Sequence, residues 1–280
     1  MGARQGARGA GDIAIIAVAD PRDPRLADYR NIPDMALVEQ RGIFVAEGRL
    51  VVQRLLSDSR FPTRSVMVTE PALASVLSVV DSHYHTPVYV VPQAVMNDVA
   101  GFNVHRGCLA IGERPEPHDW LDLARPARRL VILERIGDPD NVGSAFRNAA
   151  AFGVETVLLD PASADPLYRK AIRTSMGATL RIPFARVPEW PGALRELDRD
   201  GVAVIALTPS SSAPCLRAVA AQLSDRRVAL VLGHEGEGLT QAALDACALR
   251  ARIPMAGGTD SVNVATAGAI AMYEFARADG

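Results

Sequence analysis

The sequence predicts an α/β protein that consists of a small α/β domain followed by a larger α/β domain with a parallel sheet. The chain has 280 residues, of which 49% are hydrophobic, and this is enough for one or two cores. Strand-like apolar runs alternate with helix-like segments. A proline-containing stretch separates two regions with different patterns, because proline neither continues a helix nor donates to a central strand.

The N-terminal half is predicted to contain a flexible tail at residues 1–19, a small domain at 20–112 and a linker at 113–127. The tail is rich in glycine and lacks the apolar core of a signal peptide. The small domain combines one amphipathic segment with short apolar or β-branched runs. Its predicted elements are a helix at residues 48–56 and strands at 65–69, 88–91 and 108–112.

Residues 128–280 form the predicted larger domain. Its strands are apolar on both faces and are separated by helices, a pattern typical of a parallel sheet covered on both sides. The last helix is apolar almost all round, which predicts either a core helix or a subunit contact. The predicted elements are strands at 130–136, 156–160, 202–207 and 228–232, and helices at 142–152, 166–176 and 264–277.

Composition excludes several classes of function. The net charge of −2 gives no overall basic character, so a nucleic-acid partner would need a local basic patch. Cys108, Cys215 and Cys247 have neither disulfide-framework nor zinc-site spacing, so we expect no metal and a reducing cytoplasm. No run is long enough for a membrane span, so no membrane partner is expected. Lys170 is the only lysine, and the many arginines suit phosphates or reflect a GC-rich genome.

The first of three glycine-containing polar segments runs from Asn141 to Arg147. Asn141 follows a turn and precedes a helix, so it is either a functional amide or a helix N-cap. Gly143 and Arg147 lie one turn apart, so the missing side chain at Gly143 is expected to leave room beside the guanidinium. The alternative for Arg147 is a surface arginine in a salt bridge.

The second segment, residues 232–239, places Gly233, Gly236 and Gly238 after a strand. The spacing is not the dinucleotide fingerprint, and Glu235 and Glu237 would repel a pyrophosphate. A neutral or cationic ligand is therefore favoured, and the alternative is a glycine-rich turn before a helix. His234, which lies between these residues, is interpreted as a side chain satisfied by the backbone.

The third segment, residues 253–264, places Ser261 and Asn263 on the same side of an extended chain. Asn263 can also cap the last helix. Apolar neighbours around them, Ile253, Met255 and Val262, could grip a flat purine ring.

A basic cluster without acidic residues spans residues 166–188. Basic side chains beside a candidate site suit a phosphate backbone, although a solvated helix face is the alternative. Arg173, Ser175 and Gly177 are expected to be best placed for phosphate contact. The cluster consists of Arg169, Lys170, Arg173, Arg181 and Arg186.

On these three ordered motifs, residues 128–275 resemble the SpoU/TrmH family of RNA ribose 2′-O-methyltransferases. The matching motifs contain Asn141, Gly143 and Arg147, then 233–239, then 253–264 with Gly257, and Val262 stands where leucine is commoner. Residues 44–48 and 105–107 resemble the family's small ribosomal-protein-like substrate-binding domain, with Arg106 in place of the usual glutamine. The resemblance implies a larger domain that ends in a deep trefoil knot.

The resemblance also implies an activity and a set of roles. S-adenosylmethionine would be the methyl donor, bound by Thr208, Gly233, Ile253, Met255 and Val262. Arg147 would act on a ribose 2′-hydroxyl, with Asn141 and Ser261 holding it or the ribose, and Glu235 and Asn263 ordering the loops. The expected RNA contacts are Arg106, Arg169, Lys170, Arg173 and Ser175.

A homodimer acting on structured RNA is expected, with ribosomal RNA preferred over transfer RNA because of the extra front domain. A catalytically silent RNA-binding assembly factor of the same fold is one alternative. A nicotinamide-dependent oxidoreductase is another, disfavoured because the phosphate fingerprint is missing.

Overall fold

The computed structural model describes residues 14–30, 33–79, 86–256 and 261–276. The chain divides into two compact units, Met1–Pro115 and Glu116–Gly280. The strands are β1 Ile15–Ala17, β2 Ile43–Glu47, β3 Thr63–Val68, β4 Val88–Val90, β5 Cys108–Glu113, β6 Arg129–Leu133, β7 Thr156–Leu159, β8 Phe184–Arg186, β9 Ala203–Leu207, β10 Val228–Leu232 and β11 Leu249–Ala251. The α-helices are α1 Arg49–Ser57, α2 Glu70–Leu77, α3 Gln93–Ala100, α4 Trp120–Ala124, α5 Pro139–Ala151, α6 Arg169–Thr174, α7 Gly192–Arg199, α8 Leu216–Gln222, α9 Gln241–Ala246 and α10 Val264–Ala276.

The first unit contains a five-stranded mixed sheet in the order β1-β4-β3-β5-β2. Strand β4 pairs in parallel with both β1 and β3, whereas β5 pairs antiparallel with both β3 and β2. Buried side chains of β2, β3, β5 and α3 form its core, together with Leu26 and Tyr29 of a short 3-10 helix at Pro24–Tyr29. This α/β unit agrees with the strands predicted at 65–69, 88–91 and 108–112.

Two predictions at the edges of the first unit were wrong. The tail was predicted to extend to residue 19, but β1 pairs in parallel with β4, with Ile15 opposite Val88. The rest of that tail, residues 1–13, lies outside the described residues. The linker predicted at 113–127 contains α4, whose Ala124 is buried in the core of the second unit. The apolar spacing of Trp120, Leu123 and Ala124 explains this, because it places one face of a helix turn on that core.

The second unit contains a six-stranded sheet in the order β11-β9-β10-β6-β7-β8, and all neighbouring strands pair in parallel. From β6 the chain adds β7 and then β8 on one side of the sheet. It then crosses to the opposite side of β6 to form β9. Ligands of open α/β sheets bind beyond the carboxyl ends of strands at such a switch point. The switch falls between β6 and β10.

Both faces of this sheet are covered, as the apolar strands predicted. Val131 and Leu133 of β6 point to a core shared with α5, α6, α8 and α10. Leu130 and Ile132 point to the opposite core, which contains side chains of α4, α7 and α9. The alternation follows from the two-residue period of a strand.

The last helix, α10, buries one face and exposes part of the other. Ala271, Met272 and Phe275 are buried, whereas Ile270 and Tyr273 are 37% and 47% exposed. Residue 277, where the predicted helix ends, lies outside the described residues. Within the described part of the chain, no helix has the length and apolar character needed to cross a membrane.

Candidate active site

A cavity of about 430 Å³ opens at the carboxyl ends of β9, β10 and β11. Its volume falls within the range of about 300–1,000 Å³ that is usual for small-molecule sites. Every residue predicted to bind the cofactor lines it, as do Glu235 and Ser261. The lining residues are Leu207, Thr208, Pro209, Leu232, Gly233, His234, Glu235, Gly236, Glu237, Gly238, Leu239, Leu244, Ile253, Met255, Ser261, Val262, Val264 and Ala267.

The segment Gly233–Leu239, here called the glycine loop, forms one wall of the cavity. A Cβ atom on Gly233 would lie 2.4 Å from the backbone nitrogen of Leu239, so the loop folds back on its own start where only glycine fits. Gly238 has φ +71°, and its N–H donates to the carbonyl of His234 over 2.9 Å. The loop is therefore a compact turn whose shape depends on Gly233 and Gly238.

His234 stabilises this loop from within. Its Nδ1 accepts hydrogen bonds from the backbone N–H groups of Gly236, at 3.1 Å, and Glu237, at 3.2 Å. This confirms the interpretation of His234 as a side chain satisfied by the backbone.

The three polar segments converge through one hydrogen-bonded network. Asn141 Nδ2 donates to Glu235 Oε1 over 2.6 Å, and Asn263 Nδ2 donates to Asn141 Oδ1 over 3.0 Å. Since Asn141 lies on α5, Glu235 in the glycine loop and Asn263 before α10, segments separated by 94 and 122 residues meet at this point. The prediction that they share a site agrees with this geometry.

The two asparagines differ in their relation to helix ends. Asn263 Oδ1 accepts from the N–H of Ala265 over 2.8 Å, which confirms the predicted cap of α10. The N-cap of α5, however, is Asp138, whose side chain accepts from the N–H of Asp140. The alternative of Asn141 as N-cap is therefore wrong, because Pro139 starts the helix earlier and leaves the Asn141 amide available to Glu235.

Arg147 and Gly143 lie one turn apart on α5 but differ in exposure. Arg147 is exposed and has no hydrogen bond or ion pair with any other described residue. Gly143 is buried against α6, and a Cβ atom there would lie 2.5 Å from the carbonyl oxygen of Ala171. The expectation that Gly143 leaves room beside Arg147 was wrong, since that space is filled by α6.

Arg135, two residues after the end of β6, also reaches the glycine loop. Its Nη2 lies 2.7 Å from Glu237 Oε2, and this ion pair lowers the pKa of the Glu237 carboxyl. Arg135 has φ +58°, a backbone conformation that is uncommon outside glycine and often marks functional regions. Sequence reasoning missed Arg135, because neither its backbone conformation nor its partner has a signal in the chain.

Some residues of the predicted basic cluster already form contacts within the second unit. Lys170 Nζ lies 2.9 Å from Asp140 Oδ2 and 3.3 Å from Asp138 Oδ1. Thr174 Oγ1 donates to Asp140 Oδ1 over 2.6 Å. The hydroxyl of Thr174, and then Lys170, lower the pKa of Asp140. These contacts fasten α6 to the start of α5.

Ser175, and Arg186 of the cluster, form hydrogen bonds within the unit. Ser175 is 1% exposed, and its hydroxyl donates to the carbonyl of Ile172 over 2.9 Å. The prediction that Ser175 contacts phosphate was wrong, because the helix turns its side chain inward. Arg186 donates to the carbonyls of Asp160 and Ser163 and pairs with buried Asp165. Arg173 is exposed and Arg169 is half-buried, so both keep a surface position.

Arg106 belongs to the first unit and is exposed there. It lines a shallow hollow whose other residues are Arg49, Leu50, Gln53 and His105. Two arginines and a histidine give this surface of the first unit a local basic character.

The described residues contain no metal site, and two of the three cysteines are buried. No group of His, Cys, Asp and Glu side chains there could hold a metal ion. Burial raises the pKa of both the Cys108 and the Cys247 thiol to about 12, so they stay protonated at neutral pH. Gly257, part of the third motif, lies outside the described residues.

Comparisons with known proteins identify the family to which the chain belongs. A sequence profile of the SpoU rRNA Methylase family matches residues 128–273, more than half of the chain. An uncharacterised tRNA/rRNA methyltransferase from Mycobacterium bovis is 43% identical over 267 residues, which cover 93% of this chain and 91% of that protein. A 23S rRNA (guanosine-2′-O-)-methyltransferase from Xylella fastidiosa is 31% identical over 65% of this chain and 74% of its own.

Solved structures give the same result for the fold. An rRNA methyltransferase from Sinorhizobium meliloti superimposes with a TM-score of 0.78 and 25% identity, covering 94% of this chain and 98% of that one. A second structure of a Sinorhizobium meliloti rRNA methyltransferase is described as AdoMet bound. Fold, site and relatives together define an RNA methyltransferase. The chain belongs to the SpoU rRNA methylase family.

Proposed function

We propose that this protein transfers a methyl group from S-adenosylmethionine to a ribose 2′-hydroxyl of structured RNA, with ribosomal RNA as the expected substrate. The observation that carries the proposal is the network of Asn141, Glu235 and Asn263. It joins the cavity, which Glu235 lines, to α5, which bears Arg147.

The cavity has the chemistry that a sulfonium nucleoside needs. Its walls include Ile253, Met255 and Val262, which provide an apolar slot for a purine ring. Glu235 gives the glycine loop negative charge, whereas Glu237 is paired with Arg135, and the Glu235 charge favours a cationic ligand over a pyrophosphate. When bound, S-adenosylmethionine supplies a methyl group that its sulfonium makes electrophilic. The AdoMet-bound description of the Sinorhizobium meliloti methyltransferase supports this choice of donor.

Arg147 is proposed to act on the ribose 2′-hydroxyl. A guanidinium keeps its proton in proteins, so it does not serve as the base. Its N–H groups can orient the hydroxyl and stabilise the negative charge that develops on the oxygen, with the adjacent RNA phosphate assisting removal of the proton. Exposure and the lack of a partner among the described residues leave the Arg147 fork available for this.

The other polar residues are proposed to hold this arrangement. Asn141 and Ser261 position Arg147 or the ribose, and Glu235 and Asn263 order the loops beside the donor. Holding reactants in a near-attack geometry contributes about 7 kcal/mol or more in favourable cases, so precise placement is a large part of catalysis here.

RNA contact is proposed for basic residues at the surface of each unit. These are Arg106 with Arg49 in the first unit, and Arg169 and Arg173 of α6 in the second. Lys170 adds to this charge only in part, because two carboxylates already neutralise it. The Xylella fastidiosa relative, named for 23S rRNA, supports ribosomal RNA. Transfer RNA is the second candidate, since the Mycobacterium bovis relative is named for both.

A homodimer and a knotted C-terminus are also proposed. The exposed Ile270 and Tyr273 of α10 suit a subunit contact, and Ile270→Asp is expected to convert a dimer into a monomer in light scattering. A wild-type protein of monomer mass would contradict the dimer. Tracing residues 251–264 in an experimental density map tests the trefoil knot, and an unthreaded path would exclude it.

The proposed activity is tested by mapping 2′-O-methyl positions in total RNA from cells with and without the gene. Loss of one methyl group from ribosomal RNA, restored by purified protein and S-adenosylmethionine, is the expected result. Loss from transfer RNA instead would favour the second candidate. Unchanged RNA, together with no binding of S-adenosylmethionine in calorimetry, would leave an RNA-binding factor without transferase activity.

A further inference from the structure

Glu134 is a fully buried carboxylate that directly follows β6, and it has no role in the chemistry proposed above. It accepts three hydrogen bonds. The donors are Trp190 Nε1 at 2.7 Å, Thr240 Oγ1 at 2.7 Å and the backbone N–H of Thr240 at 2.9 Å. Thr240 is the residue that follows the glycine loop and caps α9.

The same residue also holds the beginning of the glycine loop. The backbone N–H of Glu134 donates to the carbonyl of Leu232 over 2.8 Å, and Leu232 is the residue before Gly233. Glu134 therefore contacts both residues that flank the loop, Leu232 through its backbone and Thr240 through its side chain. All seven residues between these two contacts line the cavity.

A carboxylate at this position is costly for stability alone. Burying one is unfavourable unless hydrogen bonds compensate, and well-packed apolar replacements of buried ionic groups are often equally or more stable. The donors at Glu134 include a side chain and a backbone group of one residue, Thr240, so the carboxylate also fixes the orientation of that residue. The hydrogen bonds of Glu134 therefore act on the end of the glycine loop.

We propose that Glu134 is a positioning residue for the cavity. By fixing the two ends of the glycine loop relative to each other, it keeps the loop in its ligand-binding shape before a ligand arrives. A preformed wall lowers the ordering cost of binding, so the contact strengthens affinity without touching the ligand. This inference rests on the proposed function only in naming S-adenosylmethionine as the ligand.

Glu134→Gln tests the proposal, because the amide keeps the side-chain shape but points an N–H group at one of the donors. Hydrogen exchange of the unliganded protein is measured at the glycine-loop amides, and the Kd for S-adenosylmethionine is measured by calorimetry. We expect loop exchange to be about tenfold faster and the Kd about tenfold higher.

The matched control is Asp165→Asn, which changes a buried carboxylate of the same unit outside the cavity. It is expected to lower the melting temperature while leaving loop exchange and the Kd within about twofold of wild type. If Glu134→Gln does not fold, Thr240→Val keeps the carboxylate and removes the hydroxyl contact, with the same effects expected in the same direction.

Unchanged loop exchange in Glu134→Gln would overturn the proposal. Equal acceleration of exchange throughout the unit would also overturn it, because that indicates a general loss of stability. If wild-type protein does not bind S-adenosylmethionine, the proposed function fails, and the exchange measurement alone still decides the role of Glu134.

Discussion

The cavity wall and the exposed face of α5 are joined by one network but are built in opposite ways. The glycine loop is held by internal contacts at several points: His234 from within, Glu134 at its ends, Arg135 at Glu237 and Asn141 at Glu235. Arg147, on α5, has no hydrogen bond with any described residue. One region is fixed before binding, and the other keeps its donors available.

This difference matches the two kinds of ligand. A small molecule gains affinity from a preformed site, whereas a nucleic acid supplies its own phosphates and binds through salt-dependent contacts with exposed basic groups. Changes to the cavity wall should therefore act on donor affinity, and changes to the exposed face should act on turnover or RNA binding. The predictions below test this division.

Replacing Arg147 with alanine is expected to have the largest effect. Loss of the group that stabilises the developing oxyanion should lower kcat by about 1,000-fold, in the range measured for a single oxyanion donor. The Kd for S-adenosylmethionine should stay within about twofold, since Arg147 does not line the cavity. Methyl incorporation into RNA and calorimetry measure the two quantities.

Arg147→Lys is the matched variant, because it keeps the charge and loses the planar fork. It should recover only a small part of the activity. Full activity in either variant would remove Arg147 from the mechanism, and a large loss of donor affinity would break the division between the two regions.

Asn141→Asp is expected to have the next largest effect, because it puts a carboxylate where an amide now donates to Glu235 over 2.6 Å. Loss of a hydrogen bond to a charged group, with repulsion added, should lower kcat/KM by about 10- to 100-fold. The double variant Asn141→Asp with Glu235→Gln restores a donor and an acceptor and should recover part of this loss. Additive losses in the double variant would show that the contact is not used.

Sequence patterns predicted the strands with apolar or β-branched runs in both units. Apolar runs such as 228–232 coincide with strands, because strands buried on both faces have no polar interruptions. Three of the four described three-residue strands, β1, β8 and β11, carry too few side chains to show a period, whereas β4 was predicted from its β-branched run at 88–91. α4 fell in a proline-containing stretch, and its one turn is stabilised by tertiary packing that the local sequence does not reveal.

The residue types of the site were more predictable than their partners. Glycines with polar residues after strands indicated a shared site, the apolar neighbours of the third segment suggested Met255 as part of its wall, and the family resemblance added Thr208. What Gly143 packs against, and that Ser175 points inward, depend on the position of α6, which no local pattern encodes. Glu134 and Arg135 were missed for the same reason, because their partners lie about 100 residues away.

Gly233→Ala is expected to act mainly on donor affinity. Its Cβ atom would lie 2.4 Å from the Leu239 nitrogen, and backbone cannot give way as a flexible side chain can. The loop must shift, so we expect the Kd for S-adenosylmethionine to rise about tenfold and the free energy of unfolding to fall by about 1–3 kcal/mol. Calorimetry and urea unfolding check these values.

Gly236→Ala, in the same loop, is the control for crowding at Gly233. Its Cβ atom would make only an ordinary contact of 3.7 Å with the His234 ring, so both quantities should stay near wild type. Equal effects of the two substitutions would show that the close approach at Gly233 is not what shapes the wall.

The smallest effect is expected at the α5–α6 contact, which lies outside the cavity. The Thr174 hydroxyl and Lys170 lower the pKa of Asp140 below its ordinary value of 3.8. A carboxyl whose pKa is depressed in the folded state stabilises the protein above the unfolded-state pKa, and this contribution is lost as the pH falls through the folded-state pKa. Asp140→Asn should therefore lower the free energy of unfolding by less than about 1 kcal/mol at pH 7, because the pair is largely solvent-exposed.

The difference between Asp140→Asn and wild type should shrink below about pH 4 in urea unfolding, while donor affinity at pH 7 stays unchanged. Asp225→Asn, at an exposed carboxyl with no hydrogen bond to a described residue, should show neither effect. A pH-independent loss of stability in Asp140→Asn would mean that the carboxyl acts through packing rather than charge. A change in the affinity for S-adenosylmethionine would instead show that α6 is coupled to the cavity through α5. The cavity wall and the exposed face of α5 would then not be independent.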